Sequence, residues 1–353
     1  MAIQKKIRVL IVDDSPVSRQ MLSVGISSDP QMEVAGTAGN TSEARDKILE
    51  LCPDVVICDV EMPGMTGIEF VRKLLPQHFV PFIMVSAASN AVFEALEAGA
   101  VDFVGKPDVH SRKDIEVFLS ELKQKIKTAS LVKAASPRQA LCKGNAVSNI
   151  YPKTNKAPIG IAPQNDGRII AIGASTGGTE AIYGILRVLP PTIPGIVIVQ
   201  HIPPVFSRMF AQRLDSQTPL QVKEAQTGDY IEPGKVLVAP GDMHLQIKRV
   251  GSRYRAECFS AEKVSGHCPS VDVLFDSVAK EAGNRAIGVI LTGMGQDGAK
   301  GLLSMRRAGA RTVGQDEASS VVYGMPKVAF DIGAVEIQTS LENISQTLCD
   351  LIG

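Results

Sequence analysis

Gly173-Ala174-Ser175-Thr176-Gly177-Gly178 directly follows the apolar run Arg168-Ile169-Ile170-Ala171-Ile172 and directly precedes a helix-like run, Thr179 to Leu189. The apolar run reads as a parallel strand buried on both faces. A serine therefore sits on a strand-to-helix turn with small residues on either side. Such a turn lets the backbone bend sharply and lets a substrate approach, and the helix start offers N–H groups to a developing negative charge. This is the context a G-x-S-x-G nucleophile needs. A glycine-rich turn that binds phosphate, or merely packs closely, fits the same six residues. The neighbours have to decide.

Outward from the turn, strand and helix alternate. Gly195-Ile-Val-Ile-Val-Gln200 is a second buried strand ending at His201, and a helix from Val205 to Asp215 follows. Short segments come next, at 221–224, 235–239, 244–248 and 254–259. Their alternation and their Pro233-Gly234 and Pro240-Gly241 turns predict hairpins inserted at one edge. His244, in one of them, is expected to be exposed. After a helix over 271–282, with Ser270 as its cap, Ala286-Ile-Gly-Val-Ile-Leu291 is a third buried strand. It leads into Thr292-Gly293-Met294-Gly295-Gln296-Asp297-Gly298 and a helix to Ala308. Ser175, His201 and Asp297 thus each leave the carboxyl end of a buried parallel strand, the edge where open α/β sheets bind ligands. Their types are those of a nucleophile, a general base and an orienting carboxylate. The expected oxyanion donors are the N–H of Thr176 and one from the Gly293-Met294-Gly295 loop, assigned to Met294. A histidine after a strand can also be purely structural, and Asp297 can simply cap the next helix. The order Ser, His, Asp departs from the Ser, Asp, His order of α/β-hydrolases.

The first 127 residues repeat the alternation. Strands over 7–12, 34–38, 55–58, 82–85 and 102–104 intersperse with helices over 17–27, 42–51, 67–75, 90–98 and 115–126. Five alternations predict a doubly wound, flavodoxin-like parallel sheet. Asp13, Asp14 and Asp59 fall just past strand ends and would converge. Three carboxylates in one place repel unless a cation neutralises them, and hard oxygen ligands suit Mg²⁺. Ser86 and Lys106 end two further strands and can donate to phosphoryl oxygens.

Between these halves, residues 128–167 lose apolar periodicity. They hold Pro137, Pro152, Pro158 and Pro163, with Lys133, Arg138, Lys143, Lys153 and Lys156 against the single acid Asp166. That composition suits an extended basic tether.

The chain-wide numbers narrow the function classes. At 353 residues, two domains are expected. Lys+Arg and Asp+Glu both number 37, so net charge gives no case for a polyanionic partner. The absence of Trp and 5 % aromatic content argue against a base-stacking surface. The N-terminal residues lack the apolar core of a signal peptide, and no apolar run reaches the length of a membrane span. The six cysteines are scattered and expected to be reduced. A cytoplasmic protein is the expectation.

Residues 7–127 resemble the receiver domain of two-component response regulators. The motifs are Asp13-Asp14 after the first strand, Asp59 followed by Met62-Pro63-Gly64, Ser86, and Lys106-Pro107. The resemblance implies that Asp59 accepts a phosphoryl group from a histidine kinase. It implies Mg²⁺ held by Asp13, Asp14 and Asp59 with the carbonyl of Glu61, phosphoryl contacts from Ser86 and Lys106, and Phe103 at the aromatic switch position.

Residues 168–353 are similar to the chemotaxis protein-glutamate methylesterase (CheB) family. The resemblance rests on 173–178, Val199-Gln-His-Ile-Pro203, His267-Cys-Pro-Ser-Val-Asp-Val-Leu-Phe275, 291–298 and Tyr323-Gly-Met-Pro-Lys327. It implies a Rossmann-like α/β domain with a mainly parallel sheet. It also implies hydrolysis of γ-glutamyl methyl esters on chemoreceptors with release of methanol, and deamidation of receptor glutamines. The catalytic groups would be Ser175, His201 and Asp297, with no cofactor for the esterase, no nucleic-acid partner, no membrane insertion and a monomeric chain. The receiver is expected to cover the serine edge until Asp59 is phosphorylated. Two other output classes fit less well. No basic recognition helix supports a DNA-binding module, and the serine turn lacks the Lys of a phosphate loop. A metal site of His267, Cys268 and Cys258 lacks a second close ligand pair. His78 and His110 fall in loops.

Overall fold

A computed structural model describes residues 5–87, 91–107, 111–132 and 167–352. The chain divides into two compact units, Met1–Lys143 and Gly144–Gly353. Most of the expected tether and His110 lie outside the described residues.

In the first unit, β1 (Ile7–Val12), β2 (Met32–Ala38), β3 (Val55–Asp59), β4 (Phe82–Ser86) and β5 (Asp102–Gly105) form a parallel sheet of order β2-β1-β3-β4-β5. The helices are α1 (Pro16–Ser27), α2 (Thr41–Leu51), α3 (Gly67–Leu74), α4 (Ala91–Glu97) and α5 (Arg112–Ala129). Local chemistry sets their starts. Ser15 caps α1 with Pro16 in its first turn, Thr66 and Glu69 form a capping box on α3, and Ser111 caps α5. α5 runs two residues beyond the expected domain end at 127. The strands β3 and β4 are buried throughout, as central parallel strands must be.

The second unit is built on β6 (Ile169–Ala174), β7 (Gly195–Gln200), β8 (Gln221–Glu224), β10 (Lys235–Val238), β13 (Ala286–Ile290), β14 (Arg311–Gln315) and β15 (Ile337–Thr339). They form one sheet of order β15-β14-β13-β6-β7-β10-β8, and every pairing in it is parallel. The hairpin expectation is therefore corrected: 221–224 and 235–238 extend the main sheet. Only β11 (His244–Val250) and β12 (Arg253–Phe259) make a hairpin, joined by β9 (Tyr230–Ile231) in a separate antiparallel sheet. Leu245, Ile247, Tyr254 and Ala256 of that small sheet enter the same apolar core as Ile169, Val197 and Ile290 of the large one. The hairpin thus packs onto the body of the unit. Burying each such Leu, Ile or Val contributes about 1.5–3 kcal/mol.

The helices are α6 (Gly178–Leu186), α7 (Phe206–Gln217), α8 (Val271–Glu281), α9 (Ala299–Arg307), α10 (Met325–Asp331) and α11 (Leu341–Ile352). The chain goes from β6 outward to β8, then returns to β13 on the other side of β6. The strand order reverses there, which opens a crevice beyond the carboxyl ends of the central strands.

Candidate active site

β6 is central, with β7 on one side and β13 on the other. Ser175 follows β6, His201 follows β7, and Asp297 lies in the loop after β13. The sheet order alone brings the three to one edge. Main-chain bonds hold them there: Ser175 N donates to Thr292 O at 3.0 Å, and His201 N donates to Ala174 O at 3.0 Å. Gly293 approaches so closely that a Cβ on it would lie 2.6 Å from Ser175 Cβ, so only glycine fits beside the serine.

Asp297 is 1 % exposed. Its Oδ2 lies 2.8 Å from His201 Nε2. It also accepts from Ser270 Oγ at 2.7 Å, Val271 N at 2.7 Å and Asp272 N at 3.1 Å. Burial works against its charge, but His201 and these donors outweigh it and hold the carboxyl below the usual carboxylate range. The capping alternative fails in its simple form: Gly298 is the N-cap of α9 with no side-chain cap, and Asp297 instead meets the start of α8. Ser270 caps α8 as expected.

With Nε2–H given to Asp297, the imidazole's lone pair resides on Nδ1. That atom is buried and has no hydrogen-bond partner among the described residues, so it is an open base. No hydrogen bond yet joins it to Ser175 Oγ. Thr176 lies on the serine turn, its carbonyl held by Thr292 Oγ at 3.0 Å, and Met294 follows Gly293 and is 39 % exposed.

One neighbour escaped the sequence reading. The His267 ring stacks on His201, centroids 3.7 Å apart and planes 7° from parallel. Burial and the positive charge His201 can carry push its pKa down to about 4, with Asp297 opposing. The sequence offers His267 only as a metal-ligand candidate; the available signal for this stacking role is its place in the 267–275 motif. His244 is a correction. It is 1 % exposed, its Nδ1 accepts from Ser270 N at 3.2 Å, and its Nε2–H faces Glu262 O at 3.0 Å. It is a neutral structural residue that braces the start of α8.

In the first unit, Asp13, Asp14 and Asp59 each offer a carboxylate oxygen, all within 4.8 Å of one another. Asp13 and Asp59 are 2 % exposed. Burial raises the Asp13 carboxyl; a hydrogen bond from Ser15 N opposes this, and the Asp59 charge adds to the rise. A cluster of oxygen donors whose members destabilise each other's charge fits a hard divalent cation. Lys106 Nζ reaches Asp59 Oδ2 at 2.6 Å. Burial opposes that ammonium's charge, but the bond to Asp59 overrides it and raises its pKa. Glu61 N donates to Asp59 Oδ1 at 3.2 Å, and Ser86 Oγ donates to Ala87 O at 2.8 Å. Phe103 is 3 % exposed and lies beneath the ammonium of Lys125, 5.1 Å from the ring centre.

Comparison with known proteins matches residues 170–348 to the CheB methylesterase family model and residues 9–116 to the response regulator receiver domain model. A protein-glutamate methylesterase/protein-glutamine glutaminase of Syntrophomonas wolfei is 53 % identical over 348 residues, 99 % of this chain and 98 % of that protein. Its counterpart from Syntrophotalea carbinolica is 48 % identical over 99 % of this chain and 98 % of its own length. The crystal structure of the Thermotoga maritima CheB methylesterase catalytic domain aligns with TM-score 0.51 and 38 % identity, covering 52 % of this chain and 98 % of that one.

Proposed function

The chain belongs to the CheB methylesterase family, and from that premise we propose that it is a phosphorylation-regulated serine hydrolase of chemotactic adaptation. It demethylates glutamyl methyl esters on chemoreceptors and deamidates receptor glutamines. The observation that carries the reading is the His201–Asp297 pair beside Ser175, with Nδ1 left as an open base.

The steps follow from that geometry. As the ester seats, the Ser175 hydroxyl turns to His201 Nδ1 and gives up its proton while Oγ attacks the carbonyl carbon. Asp297 stabilises the imidazolium and holds the ring with Nδ1 inward. The oxyanion is met by the main-chain N–H groups of Thr176 and Met294. Collapse breaks the ester C–O bond, and the Nδ1 proton leaves with methanol. Water, deprotonated by Nδ1, then attacks the acyl-serine; collapse breaks the bond to Ser175 Oγ, which takes the proton back from Nδ1 as the glutamate leaves. With a glutamine side chain the leaving group is ammonia and the rest is unchanged.

In the first unit, Asp59 receives the phosphoryl group from a histidine kinase. Asp13, Asp14 and Asp59, with the Glu61 carbonyl, would hold Mg²⁺, which when bound would supply charge neutralisation at the phosphoryl group. Lys106 and Ser86 bind the phosphoryl oxygens, and Phe103 relays the change that raises esterase activity. Among the described residues no helix is long and apolar enough to cross a membrane; the reaction belongs to the cytoplasmic segments of the receptors.

The test is methanol release from methylated receptor membranes. Full-length protein should release methanol, faster with a phosphodonor. Ser175→Ala should lower the rate at least about 10³-fold; an unchanged rate would sink the reading.

A further inference from the structure

Gln200 closes β7 and pairs with Ala174, so it stands directly between the strand ends that carry Ser175 and His201. Its side chain is buried; the residue is 3 % exposed. The amide nitrogen donates to Ser175 O at 2.9 Å and to His201 O at 3.1 Å. Both partners are carbonyls, so the nitrogen must face them, and its two N–H groups are both committed. The other end, Oε1, is buried and has no partner among the described residues. It lies against Gly178, where a Cβ would come within 2.1 Å of it. A buried acceptor left unpaired is unfavourable. Here it accompanies an arrangement in which one side chain grips the main chains of two functional residues.

We propose that Gln200 is the positioning residue that sets the spacing between nucleophile and base. The inference rests on the assignment of Ser175, His201 and Asp297 as the catalytic groups. Two further observations bear on it. First, His201 Nδ1 makes no hydrogen bond to Ser175 in the resting site, so the reacting pair does not hold itself together. Second, the serine main chain is tied on its other flank to Thr292 of the β13 side, while its tie to the β7 side runs through Gln200. Without that amide, the direct tie between the two backbones is the single bond from His201 N to Ala174 O, and the Ser175 carbonyl loses its hold on the β7 side. A misplacement of about 1 Å between reacting groups costs roughly 10²-fold in rate.

The test uses the full-length protein and methanol release, with kcat and KM measured across pH for wild type, Gln200→Met, Gln200→Glu and Ser175→Ala, and thermal melting of each. Gln200→Met keeps shape and loses both donors. Its kcat should fall about 10²-fold with KM within about twofold. In Gln200→Glu the introduced carboxylate faces two carbonyls and regains a donor only when protonated. Its rate relative to wild type should therefore rise as pH falls. Asp297 and His267 also face the site; Gln200→Met, measured across the same pH range, shows their contribution without an added charge. Wild-type kcat in Gln200→Met, or equal deficits in both variants at every pH, would overturn the proposal. If a variant melts too low to assay, the other and the second-order rate of Ser175 acylation by phenylmethylsulfonyl fluoride decide the matter. Retained activity in Ser175→Ala would instead sink the catalytic assignment, whatever Gln200 does.

Discussion

Two buried aspartates, Asp297 in the second unit and Asp13 in the first, sit just past strand ends, nearly inaccessible to solvent, and are pushed in opposite directions. The Asp297 carboxyl lies below the usual carboxylate range and the Asp13 carboxyl above it. Burial penalises both, so partners make the difference. Asp297 meets His201, the Ser270 hydroxyl and two main-chain N–H groups. Asp13 receives one main-chain N–H and faces the charges of Asp59 and Asp14. One carboxylate is completed by the protein and stays charged. The other is left incomplete, in a cluster suited to a mobile cation. The roles proposed for them, a permanent catalytic group and a part of a switch, call for those opposite designs.

The largest effect should come from removing the completed charge. Asp297→Asn keeps the shape but presents an amide to His201 and to the donors of α8, and kcat for methanol release should drop about 10³–10⁴-fold. Asp13→Asn should leave the unstimulated rate unchanged and abolish Mg²⁺-dependent phosphorylation of Asp59. Loss of basal activity there would break the contrast.

Next in size is the response to the cation. Saturating Mg²⁺ should stabilise the first unit by about 1–3 kcal/mol, read as a shift of its melting transition. Asp13→Asn should erase that shift, and the transition of the second unit should not move.

The acid limb sharpens the picture of the second unit. A depressed carboxyl contributes stability above about 3.8, its value in the unfolded chain, and loses it as pH falls through the lower folded value. His267 acts earlier. Unfolded, it takes a proton near 6.5; folded, it resists until about 4. The unfolded state thus binds more protons between those values, and stability should decline as pH falls from 6.5 to 4. His267→Phe keeps a ring on His201 and should flatten that decline in melting temperature, leaving the Asp297 loss at lower pH.

The smallest change concerns the backbone beside His201. Val205 has φ +71° and ψ −49°, a positive-φ conformation that a β-branched residue adopts only under strain. Val205→Gly should raise the stability of the second unit by about 1 kcal/mol, seen as a higher melting temperature. A lower one would show that the valine side chain, not the backbone, dominates there.

Much of this was legible in the residues. The strands carrying Ser175, His201 and Asp297 are apolar up to their last residue because both faces are covered, and that pattern belongs to central parallel strands. The acid cluster was legible because each acid ends a strand. Gln221–Glu224 was misplaced because a four-residue segment with alternating polar side chains looks the same in a hairpin and at the edge of a parallel sheet. His244 was misjudged because alternation shows two faces without saying that α8 covers one of them. The stacking of His267 on His201 depends on a loop folding across the sheet edge, which no local pattern encodes. Gln200 read only as the polar end of an apolar run; its role appears once two carbonyls from different strands meet at its amide.

The position of β6 between β7 and β13 also has a consequence for biosynthesis. Asp297 lies 96 residues after His201 in the chain. A nascent chain, or a fragment cut anywhere in that interval, carries serine and histidine without their carboxylate. Such a fragment also has β6 bare along the edge that β13 would pair. On the proposed assignment of Ser175, His201 and Asp297, hydrolytic competence therefore arrives late in synthesis, when the far side of the sheet is laid down, and an unfinished chain is unarmed by its own topology.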